Sequence, residues 1–262
     1  HPSVLRYFAM AWMLAVPLLC GCAAEPTATA PTPAEYALVR TLPHDPGAFT
    51  QGLLFRNGVL LESTGLYGKS SLREVNPETG AVLRKRNLPR DLFGEGLALW
   101  SNRLFQLTWR EGVLLVYDAD TLETLGSLAY EGEGWGLVAW SNRLLRTDGS
   151  ARLYEHDPAT FAVLDIRAVT DGGHPVDRLN ELEMVEGELF ANRLGDTRVA
   201  RIDPATGVVR GWIDLAPLVP EALRGSREFV LNGIAYDPET KRLFVTGKNW
   251  PVLHVLRLEN AE

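Results

Sequence analysis

No cysteine follows Cys22 in this chain of 262 residues. The body of the protein therefore has no disulfide, no thiol nucleophile and no cysteine-ligated metal. Methionine is scarce, with 3 residues against 24 Gly and 16 Pro, and apolar runs are short. That balance favours an all-β chain punctuated by turns over a helical one. Positive charge is in deficit, with a formal net charge of -7, so the basic footprint of a nucleic-acid-binding protein is missing. There is no His-Glu-x-x-His pair, no histidine cluster, no nucleophile elbow of the Gly-x-Ser-x-Gly type and no phosphate-binding Gly-rich loop. A catalytic zinc, a serine hydrolase triad and a nucleotide site are accordingly not expected.

What is present begins with a leader. Arg6 precedes an apolar run, Phe8 to Leu19, which is too short to span a bilayer and has the layout of a secretory signal. The run closes on Leu19-Cys20-Gly21-Cys22. This resembles a bacterial lipoprotein signal, with lipidation at Cys22 after cleavage; Cys20 is unusual for that pattern, and plain secretion is the alternative. Residues 25–34, EPTATAPTPA, read as an extended or flexible tether. The expected division is a signal over 1–22, a tether over 23–35 and a single folded domain over 36–262. It implies an exported protein on the periplasmic face, anchored through Cys22 and otherwise free of the membrane.

The domain repeats. WSNRL occurs at 100–104 and again at 140–144, and related strand–turn–strand stretches begin near residues 50, 179 and 231. Each is followed by a second hairpin, several with turns of the form NPETG (76–80), DPATF (157–161) or DPATG (203–207). Five units of four strands at this period predict a five-bladed β-propeller of antiparallel blades. The last unit lacks a strand, and YALVRTL at 36–42 can supply it from the N-terminal side and close the ring. Trp100, Trp140 and Trp212 read as packing residues between blades.

Residues in equal phase should form rings around the propeller axis. The starts of the first strands bring Gln51, Glu95, Trp135, Asn180 and Asn232 into one ring, and the ends of the second strands bring Gly65, Trp109, Gly149, Leu194 and Lys248 into another. Both lie at the same end of each hairpin, so the rings should be neighbours. Together they would make a pocket with one acid, one amine, two indoles and several amides, the composition of a ligand site. The matching Gly-Glu-Gly stretches at 94–96 and 132–134 are not equivalent. With WSNRL in register, Glu95 aligns with Trp135, while Glu133 falls opposite Phe93, displaced by roughly 6.6 Å along the strand. Glu95 is therefore the candidate catalytic carboxylate, and Glu133 a supporting or turn residue.

HDPGAFTQGLLF, FGEGLALW, YEGEGWGL, RIDPATGVVRGWIDL and RLFVTGKNWP resemble the glutaminyl-peptide cyclotransferases of the plant and bacterial type, over about 36–258. The resemblance implies a five-bladed propeller that cyclises N-terminal glutamine to 5-oxoproline (pyroglutamate) and releases ammonia, acting as a monomer on peptides or proteins. It implies catalytic roles for Glu95, as proton shuttle, and for Lys248 and Asn180, as groups that stabilise the oxyanion or orient the amide. Phe49, Gln51, Trp109 and Trp135 would bind the substrate, with Leu194 and Asn232 from the same rings. No cofactor is required; a structural calcium ion is left open by family analogy, with no ligand set visible in the sequence. One departure stands out: the resemblance leads one to expect ANVW where this chain has ANRL, residues 191–194, so that Leu194 takes the place of an indole. That departure and the anchor motivate the alternative of a non-enzymatic lipoprotein that binds peptides or protein partners.

Overall fold

The computed structural model describes residues 35–259. The signal segment 1–22 with Cys22, and the tether as far as residue 34, lie outside them. Glu35, assigned to the tether, instead opens the first strand.

Five four-stranded antiparallel sheets make a five-bladed propeller. Blade one comprises Thr50–Arg56, Val59–Thr64, Ser71–Val75 and Val82–Asn87. Blade two comprises Gly94–Trp100, Arg103–Thr108, Val113–Asp118 and Thr124–Ala129. Leu137–Trp140, Arg143–Arg146, Arg152–His156 and Val163–Ala168 form blade three. Leu179–Val185, Glu188–Arg193, Arg198–Ile202 and Val209–Asp214 form blade four. Blade five takes Leu231–Asp237, Arg242–Gly247 and Val252–Glu259 from one end of the domain and Glu35–Pro43 from the other. The closing strand runs antiparallel to its neighbour, with Tyr36 opposite Leu258 and Pro43 opposite Val252.

The repeated motifs are the hairpins' turn chemistry. In WSNRL, Ser101 and Asn102 both take positive φ, 48° and 59°, as do Asn57 and Gly58 in blade one; this is the turn whose twist matches a tight hairpin. In the second hairpins the leading Asn76, Asp118, Asp157 and Asp203 accept backbone N–H groups two and three residues on. TDGGHP at 170–175 is a small hairpin of its own, Thr170–Asp171 against His174–Pro175.

The core is divided among the seams between blades. Leu54, Leu61 and Leu72 meet Leu97, Leu104 and Tyr117 between blades one and two. Phe105, Leu107 and Leu114 meet Leu137 and Leu144 between two and three, and the pattern continues around the ring. Trp100 packs on the seam between blades two and three, and Trp140 and Trp212 on the one between three and four. No blade buries both faces by itself, so the propeller is stable only as a closed ring. Outer strands such as Val82–Asn87 are largely exposed, while inner strands are buried at their leading ends.

Two features of the inner strands prepare the site. Their ladders with the second strand are interrupted between Thr50 and Gly52, Gly94 and Leu97, Leu179 and Leu182, and Leu231 and Ile234. A residue freed from the ladder by such a bulge can be re-aimed, and Gln51, Glu95, Asn180 and Asn232 all fall at these breaks. The next position is Gly52, Gly96, Gly136 and Gly233 in four blades, where the inner strands crowd together. A Cβ on Gly136 would lie 1.9 Å from the carbonyl oxygen of Asn180. In blade four that position is Glu181. Its two oxygens accept the backbone N–H groups of Leu53 at 3.3 Å and Ile234 at 2.8 Å, bracing blade four against blades one and five.

Candidate active site

The two rings do adjoin. The N–H of Gly65 donates to Phe49 O at 2.8 Å, Trp109 to Phe93 at 3.0 Å, Leu194 to Arg178 at 2.8 Å and Lys248 to Val230 at 2.9 Å. In four of the five blades the second-ring residue is thus tied to the residue two positions before a first-ring one; Gly149 of blade three is the exception. A cavity of about 260 Å³ opens there, lined by Phe49, Gln51, Leu66, Phe93, Glu95, Trp109, Trp135, Asn180, Leu194 and Lys248.

Glu95 is 4% exposed and lies with Gln51 on the pocket floor. Burial pushes its pKa well above the usual carboxylate range; the Lys248 ammonium opposes that rise, and the Glu111 and Glu133 carboxylates add to it. Lys248 is 7% exposed, and burial pulls its pKa down against the attraction of Glu95. Both groups are pushed toward their neutral forms, the expected response of charges removed from water. The Lys248 ammonium sits 4.8 Å from the centre of the Phe49 ring. Gln51 donates from Nε2 to Glu95 Oε1 at 3.0 Å. Its own carbonyl accepts from Asn232 Nδ2 at 3.2 Å, and the same nitrogen donates to Thr50 O at 2.9 Å. The Asn232 amide thus fixes which end of Gln51 faces the acid.

Asn232 was expected to touch the substrate. It is fully buried behind Gln51 and is absent from the pocket lining, so it orients a lining residue. Asn180 is in the lining, and its Oδ1 is buried without a hydrogen-bond partner among the described residues. A buried amide oxygen without a partner is well suited to accept a ligand N–H; Asn232 Oδ1, behind the lining, is likewise unpartnered among the described residues.

The remaining walls are aromatic. Phe93 meets Phe49 edge-on at 6.2 Å and Trp109 at a tilt at 5.4 Å, while Leu194 lines the wall where the family resemblance anticipates an indole. The second-ring glycines make room for rings: a Cβ on Gly65 would lie 2.3 Å from Phe93, and one on Gly149 2.6 Å from Trp135. No group of three or more His, Cys, Asp or Glu side chains that could hold a metal occurs among the described residues, and both oxygens of the axial Glu181 are already engaged by backbone N–H groups.

Comparison with known proteins agrees with this architecture. The family model for glutamine cyclotransferase matches residues 12–258. A glutaminyl-peptide cyclotransferase of Arabidopsis thaliana is 44% identical over 231 residues, spanning 87% of this chain and 72% of the relative. The chain belongs to the glutamine cyclotransferase family. It is an enzyme of that class, and the crystal structure of Myxococcus xanthus glutaminyl cyclase superposes with a TM-score of 0.82 at 40% identity, over 88% of this chain and all of that one.

Two lining residues of this cyclotransferase escaped the repeat analysis. Phe93 stands two residues before Glu95, as Phe49 stands two before Gln51; extending the ring comparison by that step would have found it. Leu66 gave no such signal. It takes φ 83°, a left-handed backbone that branched side chains rarely adopt, and the resulting turn brings it into the wall. The neighbouring Tyr67 stacks edge-on against Phe93 at 5.3 Å and donates its hydroxyl to Glu111 at 2.6 Å.

Proposed function

We propose that this enzyme converts the N-terminal glutamine of peptides to 5-oxoproline with release of ammonia, and that Glu95 shuttles the protons. The observation that carries the reading is a buried carboxylate of raised pKa that shares a largely aromatic pocket with a buried amine. The substrate's α-ammonium has an ordinary pKa of about 7.7–8.0. A carboxylate raised toward that range can take its proton at little cost and give it back later.

The steps follow. Ionised Glu95 takes a proton from the α-ammonium, and the free amine attacks the side-chain amide carbon of the same residue. The new C–N bond leaves negative charge on the amide oxygen, where Lys248 is the available cation. Protonated Glu95 then delivers its proton to the departing NH2 and takes one from the ring nitrogen. The old C–N bond breaks, the carbonyl re-forms and ammonia leaves, carrying the last proton from Glu95 as ammonium. Asn180 accepts a substrate N–H on its free oxygen. Phe49, Phe93, Trp109, Trp135 and Leu194 exclude water and hold the folded conformer that makes the attack intramolecular.

Incubation of the purified protein with a Gln-initiated peptide, with and without chelator, tests this. Ammonia release and loss of one ammonia mass are expected in both, and neither with an N-acetylated peptide, whose amine is blocked. Ammonia from the acetylated peptide would overturn the intramolecular attack. The lipoprotein-type signal supports a Cys22-anchored site of action on the periplasmic face, so Cys22→Ser should move the enzyme from the membrane fraction to the soluble one.

A further inference from the structure

Trp109 and Trp135 both line the aromatic wall, and they come from different blades. An indole has one hydrogen-bond donor, and both donors converge on a single atom. Glu133 Oε2 accepts from Trp109 Nε1 at 2.9 Å and from Trp135 Nε1 at 2.9 Å. The other oxygen, Oε1, accepts from Arg110 Nε at 3.0 Å, and the Arg110 guanidinium lies 3.8 Å from the centre of the Trp109 ring, on its face. The backbone that carries Glu133 is held as well. The Glu133 carbonyl accepts from Arg146, a buried residue whose Nε donates to His156 Nε2 at 3.1 Å. Gly134 N donates to Trp109 O at 2.8 Å. Burial keeps His156 neutral, with a pKa near about 4, so that nitrogen is free to accept.

We infer that Glu133 is a positioning residue for the cyclisation: one carboxylate oxygen fixes both indole walls and so sets the shape of the pocket between blades two and three. This rests on the reading of the pocket given above. Glu133 is not in the pocket lining, so its positioning role runs through the two tryptophans, separate from the effect of its charge on Glu95. Without an acceptor, each indole would be free to turn about its side-chain torsions, and a misplacement of about 1 Å near the reacting atoms can cost on the order of 100-fold in rate.

Two substitutions separate the acceptor from the charge. Glu133→Ala removes the shared acceptor. Glu133→Gln retains a carbonyl oxygen able to accept from both indoles, but turns an amide N–H2 toward Arg110. In the full-length protein, Glu133→Ala is expected to lower kcat/KM by on the order of 100-fold, mostly through kcat. It should also flatten the near-ultraviolet circular dichroism of the fixed indoles while the melting transition stays cooperative. Glu133→Gln should recover most of both. In a Trp109→Phe/Trp135→Phe background, where no indole N–H remains at the wall, Glu133→Ala should cost less than about 3-fold, because the two effects share one route.

An equal loss in both backgrounds, or Glu133→Gln as impaired as Glu133→Ala, would overturn the inference. So would an unchanged near-ultraviolet spectrum in Glu133→Ala. The spectrum reports on the indoles without turnover. An inactive wild type with the expected spectral changes would therefore remove the cyclisation reading and leave the indole clamp; an active wild type without them would remove the clamp alone.

Discussion

Gln51 donates a hydrogen bond to Glu95 across 3.0 Å, and both side chains are buried at the axis. The bond joins blade one to blade two through the proposed shuttle, and Asn232 of blade five holds Gln51 in the donating orientation. Glu95→Gln keeps the shape and removes the titrating proton. It should lower turnover by about 100- to 10,000-fold, with the melting temperature unchanged or raised, since a buried charge is gone. Ammonia release and thermal denaturation measure the two effects.

The pH profile has a predicted sign. Glu95 must be ionised to take the first proton, so kcat/KM should rise with pH through a value well above 4.5, its ordinary pKa. The charge of Lys248 holds that value down. Lys248→Met should therefore move the acid limb to higher pH as well as lower kcat. A limb that moves to lower pH would contradict the electrostatics described above.

Leu194 lines the wall where the family resemblance anticipates an indole. Leu194→Trp should narrow the pocket and add a stacking surface, worth about 0.5–1.5 kcal/mol. The expected result is a KM lower by about 2- to 10-fold for a Gln-initiated peptide. Steady-state kinetics with one short peptide decides it.

The inner strands leave no room beside Gly136. In Gly136→Ala the new methyl would meet the Asn180 backbone at 1.9 Å, so blade four must shift. A loss of about 1–3 kcal/mol is expected, together with lost activity, because Asn180 moves with the strand. Chemical denaturation and turnover of the same preparation test both halves.

A buried ionic cluster locks the place where the ring closes. His44 Nε2 bonds Glu62 Oε1 at 2.9 Å, its Nδ1 bonds Trp250 O at 2.7 Å, and Arg73 Nε bonds Glu62 Oε2 at 3.2 Å. Burial would raise the pKa of Glu62, but His44 and Arg73 outweigh it and hold it at about 2. For His44 burial works downward, and the charge and hydrogen bond of Glu62 lift it above 6.5. The Glu62 contribution is complete above its ordinary 4.5 and lost as pH falls toward about 2. The His44 contribution is complete below 6.5 and lost as pH rises through its raised pKa. Glu62→Gln removes the charge that His44 and Arg73 share, leaving Arg73 only Asp45 at 2.7 Å, and should cost about 3–5 kcal/mol, with the largest gap to wild type between pH 4.5 and 6.5. Melting curves across pH check the window.

The architecture was legible because a propeller repeats in sequence what it repeats in space. Turn residues such as Ser101-Asn102 act within four residues, so their recurrence marks blades directly. Equal phase in the repeat means equal distance from the axis, which is why the repeats alone gather Gln51, Glu95, Trp135 and Asn180, with Trp109, Leu194 and Lys248. The same reasoning gave Asn232 the wrong depth, because phase fixes a residue's height on its strand and leaves open whether a neighbour covers it. Gln51 does cover it.

By itself, then, the sequence determined the number of blades, the strand that closes the ring and the set of side chains facing the axis, all consequences of local turns and period. Tertiary structure decided the chemistry. The raised pKa of Glu95 comes from burial by several blades at once, and Leu66 enters the wall through a turn at φ 83°, a conformation its residue type does not announce. Glu133, out of phase with Glu95 by two residues, meets two indoles only because blades two and three converge. Desolvation and contacts across seams depend on distances that no single stretch of chain encodes.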